Sequence, residues 1–244
     1  MDEENNISYN LPLTTICSPK SISGMRSAKM KFLCLHGYQQ SAAIMQAETP
    51  FLQQIFEQSL GEEVDLYYPS GPFPSTPTAL NEPTYAWWPE DPTITEFYTF
   101  RYLSNILDEE GPFDGIIGFS QGGSVASLIA ALLERPKVAR PSNFTTVHGP
   151  LQLVISYSGY HEDDERLQQY YTQKIKTPIL HFISSTDPVV AEERCFRLVK
   201  KCEDSDDRVI VYTGSGFHRV PTTKMTAQAL SRFLIEITDA GGDF

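Results

Sequence analysis

No run of apolar residues in this 244-residue chain approaches the ~18 of a membrane span, and the N-terminus lacks the apolar core of a secretory signal. These two absences make the cytoplasm the expected location, with no membrane span. Positive charge is scarce as well. Nineteen Lys and Arg stand against 31 Asp and Glu, a formal net charge of −12. No Lys/Arg cluster offsets that balance, so nucleic acid and anionic membrane are not expected partners. Cysteine is sparse. Cys17, Cys34, Cys195 and Cys202 have neither zinc-ligand spacing nor the pattern of a disulfide framework. Cys34 lies in an apolar stretch, where a free thiol serves as a small hydrophobe. Cys195 and Cys202 fall on one predicted helix and do not chelate. Internal repeats are also lacking.

The chain does contain alternating strand and helix patterns. Its length suits one α/β domain with a full core. Residues 1–28 are polar, with Pro12, Pro19 and a Ser/Gly cluster, and read as a flexible or loosely docked tail. Residues 29–240 read as the domain. Strands are expected at 30–35, 64–68, 113–119, 151–158, 178–184 and 208–213. Helices are expected over much of 46–59, then at 94–107, 124–134, 191–202 and 222–237, with an acidic helix start at Glu162. In the last helix Met225, Leu230, Phe233, Leu234 and Ile237 should face inward. The alternation implies a mainly parallel sheet of about six strands with helices on both faces. Active groups then belong at the C-terminal ends of strands.

The segment from Gly111 to Gly123 organises the rest. An apolar run, 113–119, leads through Gly118-Phe119-Ser120-Gln121-Gly122 into a helical stripe of Val125, Leu128, Ile129, Leu132 and Leu133. Strand, G-x-S-x-G turn and helix are the context of a nucleophile elbow, in which the serine sits on a strained turn between small residues. A chance Gly/Ser turn would not need both flanks.

A lone serine hydroxyl is a poor nucleophile. It needs a base of intermediate pKa, and the base needs a carboxylate to fix its tautomer. The loops after later strands offer Asp187 and His218, and the order Ser, Asp, His is that of the α/β-hydrolase triad. Ser120 is therefore the candidate nucleophile, His218 the base and Asp187 the orienting acid. Asp163, Asp164 and Glu192 are rival acids, while His148, His161 and His181 read as structural or solvent-facing. The oxyanion hole needs two N–H groups. Gln121, after the nucleophile, supplies one from its backbone, and Tyr38, in the loop after the first strand, supplies the other. His36 braces that loop. Residues 70–95 are rich in proline and carry Tyr85, Trp87 and Trp88. These aromatics floor an acyl pocket or pack as ordinary core, and both readings stand at this point.

Leu35-His36-Gly37-Tyr38-Gln39-Gln40-Ser41, the 111–122 string, Thr186-Asp187 and His218-Arg219-Val220-Pro221 resemble the fungal FSH family of serine hydrolases. That family is similar to ovarian-cancer-associated protein 2 and to fungal polyketide-releasing thiohydrolases. The match runs from about Met30 to Ile237. It implies an α/β-hydrolase fold, no metal and no cofactor, and the triad roles already given to Ser120, Asp187 and His218. Trp87 and Trp88 resemble the family's aromatic stretch. Phe217 stands where members often carry a small or polar residue, which bears on the pocket wall, so it joins Trp87 and Trp88 as a candidate substrate contact. The expected activity is hydrolysis of an apolar acyl ester. An acyl-thioester hydrolase, taking its substrate from an acyl carrier or polyketide synthase, is the alternative. A catalytically idle binding protein on the same fold is the alternative of another class.

Overall fold

Parallel strands covered on both faces read as unbroken apolar runs, and those runs build the sheet of this protein. The structure is a computed structural model that describes residues 29–76, 82–88, 97–203, 210–212, 214 and 217–240. Its strands are Met30–Leu35 (β1), Val64–Tyr67 (β2), Phe73–Ser75 (β3), Thr84–Ala86 (β4), Gly115–Phe119 (β5), Leu153–Tyr157 (β6), Ile179–Ile183 (β7) and Ile210–Tyr212 (β8). Six form one parallel sheet in the order β2-β1-β5-β6-β7-β8, and β3 and β4 form an antiparallel hairpin. The helices are Ala42–Glu48 (α1), Phe51–Leu60 (α2), Phe97–Glu109 (α3), Gln121–Leu133 (α4), Glu165–Gln168 (α5), Glu192–Val199 (α6) and Lys224–Ala240 (α7).

Side chains alternate across the sheet and divide the core in two. Leu33, Leu35, Ile116 and Val154 pack toward Phe100 and Leu103 of α3 and Val125 and Leu128 of α4. Phe32, Cys34, Ile117 and Ile155 pack on the other face toward Phe56 of α2 and Phe233 and Leu234 of α7. Every residue of α4 is buried, which explains why its apolar stripe extends around the helix. Strand order reverses at β1, with β2 on one side and β5 on the other. The loops after β1 and β5 therefore flank the crevice where ligands bind in open parallel sheets. Among the described residues no helix is long and apolar enough to cross a membrane.

Several expectations need correction. The helix expected over 46–59 is two helices, because Pro50 stands at the N-cap of α2, where it has no N–H to lose from the ladder. Residues 70–95 contain a hairpin rather than a continuous loop. Met225 is 54% exposed, so the inward face of α7 runs instead through Thr226, Leu230, Phe233 and Leu234. Cys202 lies past the end of α6, so Cys195 and Cys202 do not share a helix; both are buried and free, as is Cys34. The helix expected at Glu162 begins at Glu165, capped by Asp164. The N-terminal tail, Cys17, residues 77–81 and 89–96, and most of the expected strand ends at 208–213 lie outside the described residues.

Candidate active site

Ser120 sits between β5 and α4 with φ 53° and ψ −118°, a left-handed conformation that costs a non-glycine residue energy. Close packing over-determines it. A Cβ on Gly118 would collide with the Gly122 carbonyl, and one on Gly122 with the carbonyl of Leu35. The Ser120 N–H donates to the Tyr157 carbonyl at 2.8 Å, and its carbonyl accepts from Ser124 at 3.1 Å. The hydroxyl is thus held at the N-terminus of an entirely buried helix, whose first N–H groups have no partner within the helix.

His218 joins the three sequence candidates. Its Nε2 lies 2.8 Å from Ser120 Oγ and its Nδ1 lies 2.6 Å from Asp187 Oδ2. A carboxylate only accepts, so Nδ1 carries the proton and donates it to Asp187, leaving the Nε2 lone pair to accept from the serine hydroxyl. The Phe119 ring lies 4.8 Å from the imidazole, centroid to centroid, and backs it. The Asp187 side chain is 2% exposed. Burial works to raise its pKa, but hydrogen bonds from His218 and from the N–H groups of Val190 and Val189 prevail and hold it below the ordinary carboxylate value. Thr186 Oγ1 donates to the Gly214 carbonyl at 2.8 Å, pinning the acid loop to the loop before the histidine. That tie was not predicted from sequence.

The rival acids are engaged elsewhere. Asp163 pairs with Arg197 and Arg194, Asp164 caps α5, and Glu192 lies in the first turn of α6. Among the other histidines, His148 Nε2 accepts from the N–H of Phe113, and His181 lies beside Cys202 Sγ.

The loop after β1 is braced from two sides. His36 is fully buried, and burial lowers its pKa to about 4, so it is a neutral imidazole. Its Nδ1–H donates to the Gly37 carbonyl at 2.7 Å and its Nε2 accepts from the Gly71 N–H at 2.8 Å. Tyr38, next in the chain after Gly37, is 43% exposed. The hairpin grips the following residues: Gln39 donates to the Tyr85 carbonyl and Tyr85 donates back to that of Gln40. Gln121, at the first position of α4, accepts from the Trp87 N–H through its side-chain Oε1 at 2.8 Å.

Trp87 corrects an expectation. It is 0% exposed, packs in the core and donates its indole N–H to the His36 carbonyl, so it offers no surface to an acyl chain. Trp88 is partly buried against Phe100, and its Nε1–H donates to Glu162 Oε1 at 3.1 Å. Phe217, beside His218 in the chain, is 71% exposed.

The profile of the serine hydrolase (FSH1) family matches residues 25–230. The chain belongs to that family. It is 31% identical over 242 residues to Family of serine hydrolases 3 of Saccharomyces cerevisiae, across 88% of this chain and 87% of that one. It is 27% identical to Esterase OVCA2 of Bos taurus, across 86% and 97% respectively. The solved structure of Arabidopsis thaliana SOBER1 superposes with a TM-score of 0.59 at 20% identity, covering 86% of this chain and 100% of that one. That likeness shows the fold, an α/β-hydrolase fold. This FSH1-family chain is accordingly a serine hydrolase.

Proposed function

We propose that the protein hydrolyses carboxylic esters of apolar acyl groups, with Ser120 as nucleophile, His218 as general base and then acid, and Asp187 as the group that orients the imidazole. The observation that carries this reading is the pair of contacts on one ring, 2.8 Å to Ser120 Oγ and 2.6 Å to Asp187. As Oγ attacks the acyl carbon, its proton passes to His218 Nε2, and the ionised Asp187 stabilises the imidazolium. The carbonyl oxygen becomes an oxyanion facing the backbone N–H groups of Gln121 and Tyr38. Collapse expels the alcohol, which takes the proton from Nε2 and leaves an acyl-serine. Water then gives a proton to the same nitrogen and attacks the acyl carbon; the bond to Oγ breaks, Oγ takes the proton back from Nε2, and the acid leaves.

The apolar acyl preference is supported by the loops that carry the proposed catalytic groups. Tyr38, Val189 and Phe217 are exposed large hydrophobics on the three loops that carry the oxyanion donor, the acid and the base. The same constellation attacks a thioester, whose donor would be an acyl carrier or a polyketide synthase, and the competing arms of an ester and thioester series separate the two. An idle binding protein would not need a satisfied Asp–His–Ser relay. The deciding experiment is labelling with a fluorophosphonate probe beside steady-state hydrolysis of p-nitrophenyl esters. Ser120→Ala should abolish labelling and lower kcat on the order of 10⁴-fold or more while the fold persists. Near-wild-type turnover by a clean preparation of that variant would overturn the reading.

A further inference from the structure

A second group of charged side chains, sharing no residue with the constellation around Ser120, gathers on the flank of the sheet. Arg197, Lys200 and Lys201, at the C-terminal end of α6, line a cavity of about 420 Å³ with His161, Asp163 and Gln168. That volume falls within the roughly 300–1,000 Å³ of small-molecule sites. Three cations face one carboxylate there, in a chain whose formal net charge is −12. Asp163 lies 3.1 Å from Arg197 and 3.6 Å from Arg194, so its charge is already shared between two guanidinium groups and does not cancel the lysines.

His161 is the independent observation. It is 6% exposed, stacks at a tilt on Tyr171, and its Nε2 is buried with no hydrogen-bond partner among the described groups. Burial first, and Lys201 next, lower its pKa, while Asp163 in the same wall works to raise it. A buried polar atom without a partner is costly and calls for an explanation. The helix macrodipole accounts for cations at the end of α6. It requires neither a cavity nor an imidazole lacking a partner in the wall.

We infer that this cavity is a binding site for a phosphorylated ligand carrying at least two negative charges. Two ammonium groups, beside a guanidinium that already donates to Asp163, suit the several oxygens of a phosphate or diphosphate better than a single carboxylate. The loop that carries His161 leaves the same end of the sheet as the serine, and the N–H of Tyr160 donates to Ser124 Oγ in the first turn of α4 at 3.0 Å. Lys201 itself is tied to the segment entering β7, its carbonyl accepting from the Ile175 N–H at 2.8 Å, so the phosphate belongs either to an extended leaving group of the substrate or to a separate phosphorylated metabolite. Only the first source rests on the proposed ester or thioester chemistry.

The test is calorimetric titration of the full chain with pyrophosphate at low ionic strength, with imidazole proton resonances followed in parallel. Wild type and Ser120→Ala should bind one pyrophosphate saturably and alike, and the His161 resonances should shift. The double variant Lys200→Gln/Lys201→Gln should bind at least about tenfold more weakly. Lys137→Gln, a surface control on another turn, should bind as wild type. With Lys200→Gln/Lys201→Gln, a KM rise for butyryl-CoA but not for p-nitrophenyl butyrate assigns the phosphate to the substrate. Unchanged KM values with weakened pyrophosphate binding assign it to a separate ligand. Failure of wild type to bind saturably, or undiminished binding by the double variant, would overturn the site whatever Ser120 does.

Discussion

The backbone N–H of Trp87 donates to Oε1 of Gln121 at 2.8 Å, joining the hairpin segment to the residue that follows the nucleophile. Trp87 also donates from its indole to the carbonyl of His36, and Thr99 Oγ1 donates to the Trp87 carbonyl. One residue thus spans both loops proposed to form the oxyanion hole. Its role is to brace them rather than to contact substrate.

Gln121→Leu should therefore be costly through its side chain as well as through any disturbance of its backbone N–H. The Trp87 N–H would be left buried without an acceptor, at about 1–3 kcal/mol. Gln121→Glu keeps an acceptor at the same reach and should recover most of the loss in thermal midpoint. Melting curves and kcat for both variants decide the matter. Equal stability of Gln121→Leu and wild type would mean that the contact contributes nothing.

Asp187→Asn should lower kcat by orders of magnitude, on the scale of the ~10⁴-fold seen when the orienting acid of a serine protease is amidated. An amide can donate as well as accept, so it no longer enforces the Nδ1–H tautomer of His218. Glu192→Gln, in the first turn of α6, should change kcat little. A crippled Glu192→Gln beside an active Asp187→Asn would reassign the acid.

Much of this arrangement was legible in the sequence because it is written as punctuation. Ser120, Asp187 and His218 each follow an apolar run, and parallel strands deliver their C-terminal ends to one side. The elbow glycines mark the point where strand and helix approach too closely for a Cβ. The hairpin was not legible, since three-residue strands such as Phe73–Ser75 and Thr84–Ala86 are too short to show a period. Nor was the fate of the adjacent tryptophans. Trp87 and Trp88 are identical in chemistry, and only the tertiary fold turns one into the core and leaves the other at its edge. The side-chain task of Gln121 was hidden for a related reason: its acceptor role depends on a strand distant in sequence.

Glu162 should impose a pH dependence on stability. Burial is the main cause that lifts its pKa to about 7, with Asp163 adding to it, while Arg194 and hydrogen bonds from Trp88 and Tyr160 pull it down. A folded-state pKa raised above the ordinary carboxylate value favours the protein at acid pH, and that contribution is lost as pH rises through 7. Wild type should thus lose stability relative to Glu162→Gln between pH 5 and pH 8. Urea midpoints of the two proteins across that range provide the measurement. A difference that stays flat with pH would show that the carboxyl is ionised throughout.

Phe217 should set the preference for acyl length. It stands next to His218, is 71% exposed and has Arg219 over its ring at 5.3 Å, so removing it disturbs no core contact. A chain lying on that ring would gain up to roughly 0.8 kcal/mol for each methylene it buries, and binding energy from a part of the substrate that does not react can support turnover. Phe217→Ala should flatten the rise of kcat/KM from acetyl to decanoyl p-nitrophenyl esters, with acetyl hydrolysis and the thermal midpoint unchanged. Trp87→Ala makes the contrast. It empties a fully buried site, should cost about 3–5 kcal/mol of stability, and should lower activity toward every ester together. If Phe217→Ala leaves the slope intact, the acyl chain lies elsewhere on the rim, and Val189 and Tyr38 become the positions to truncate.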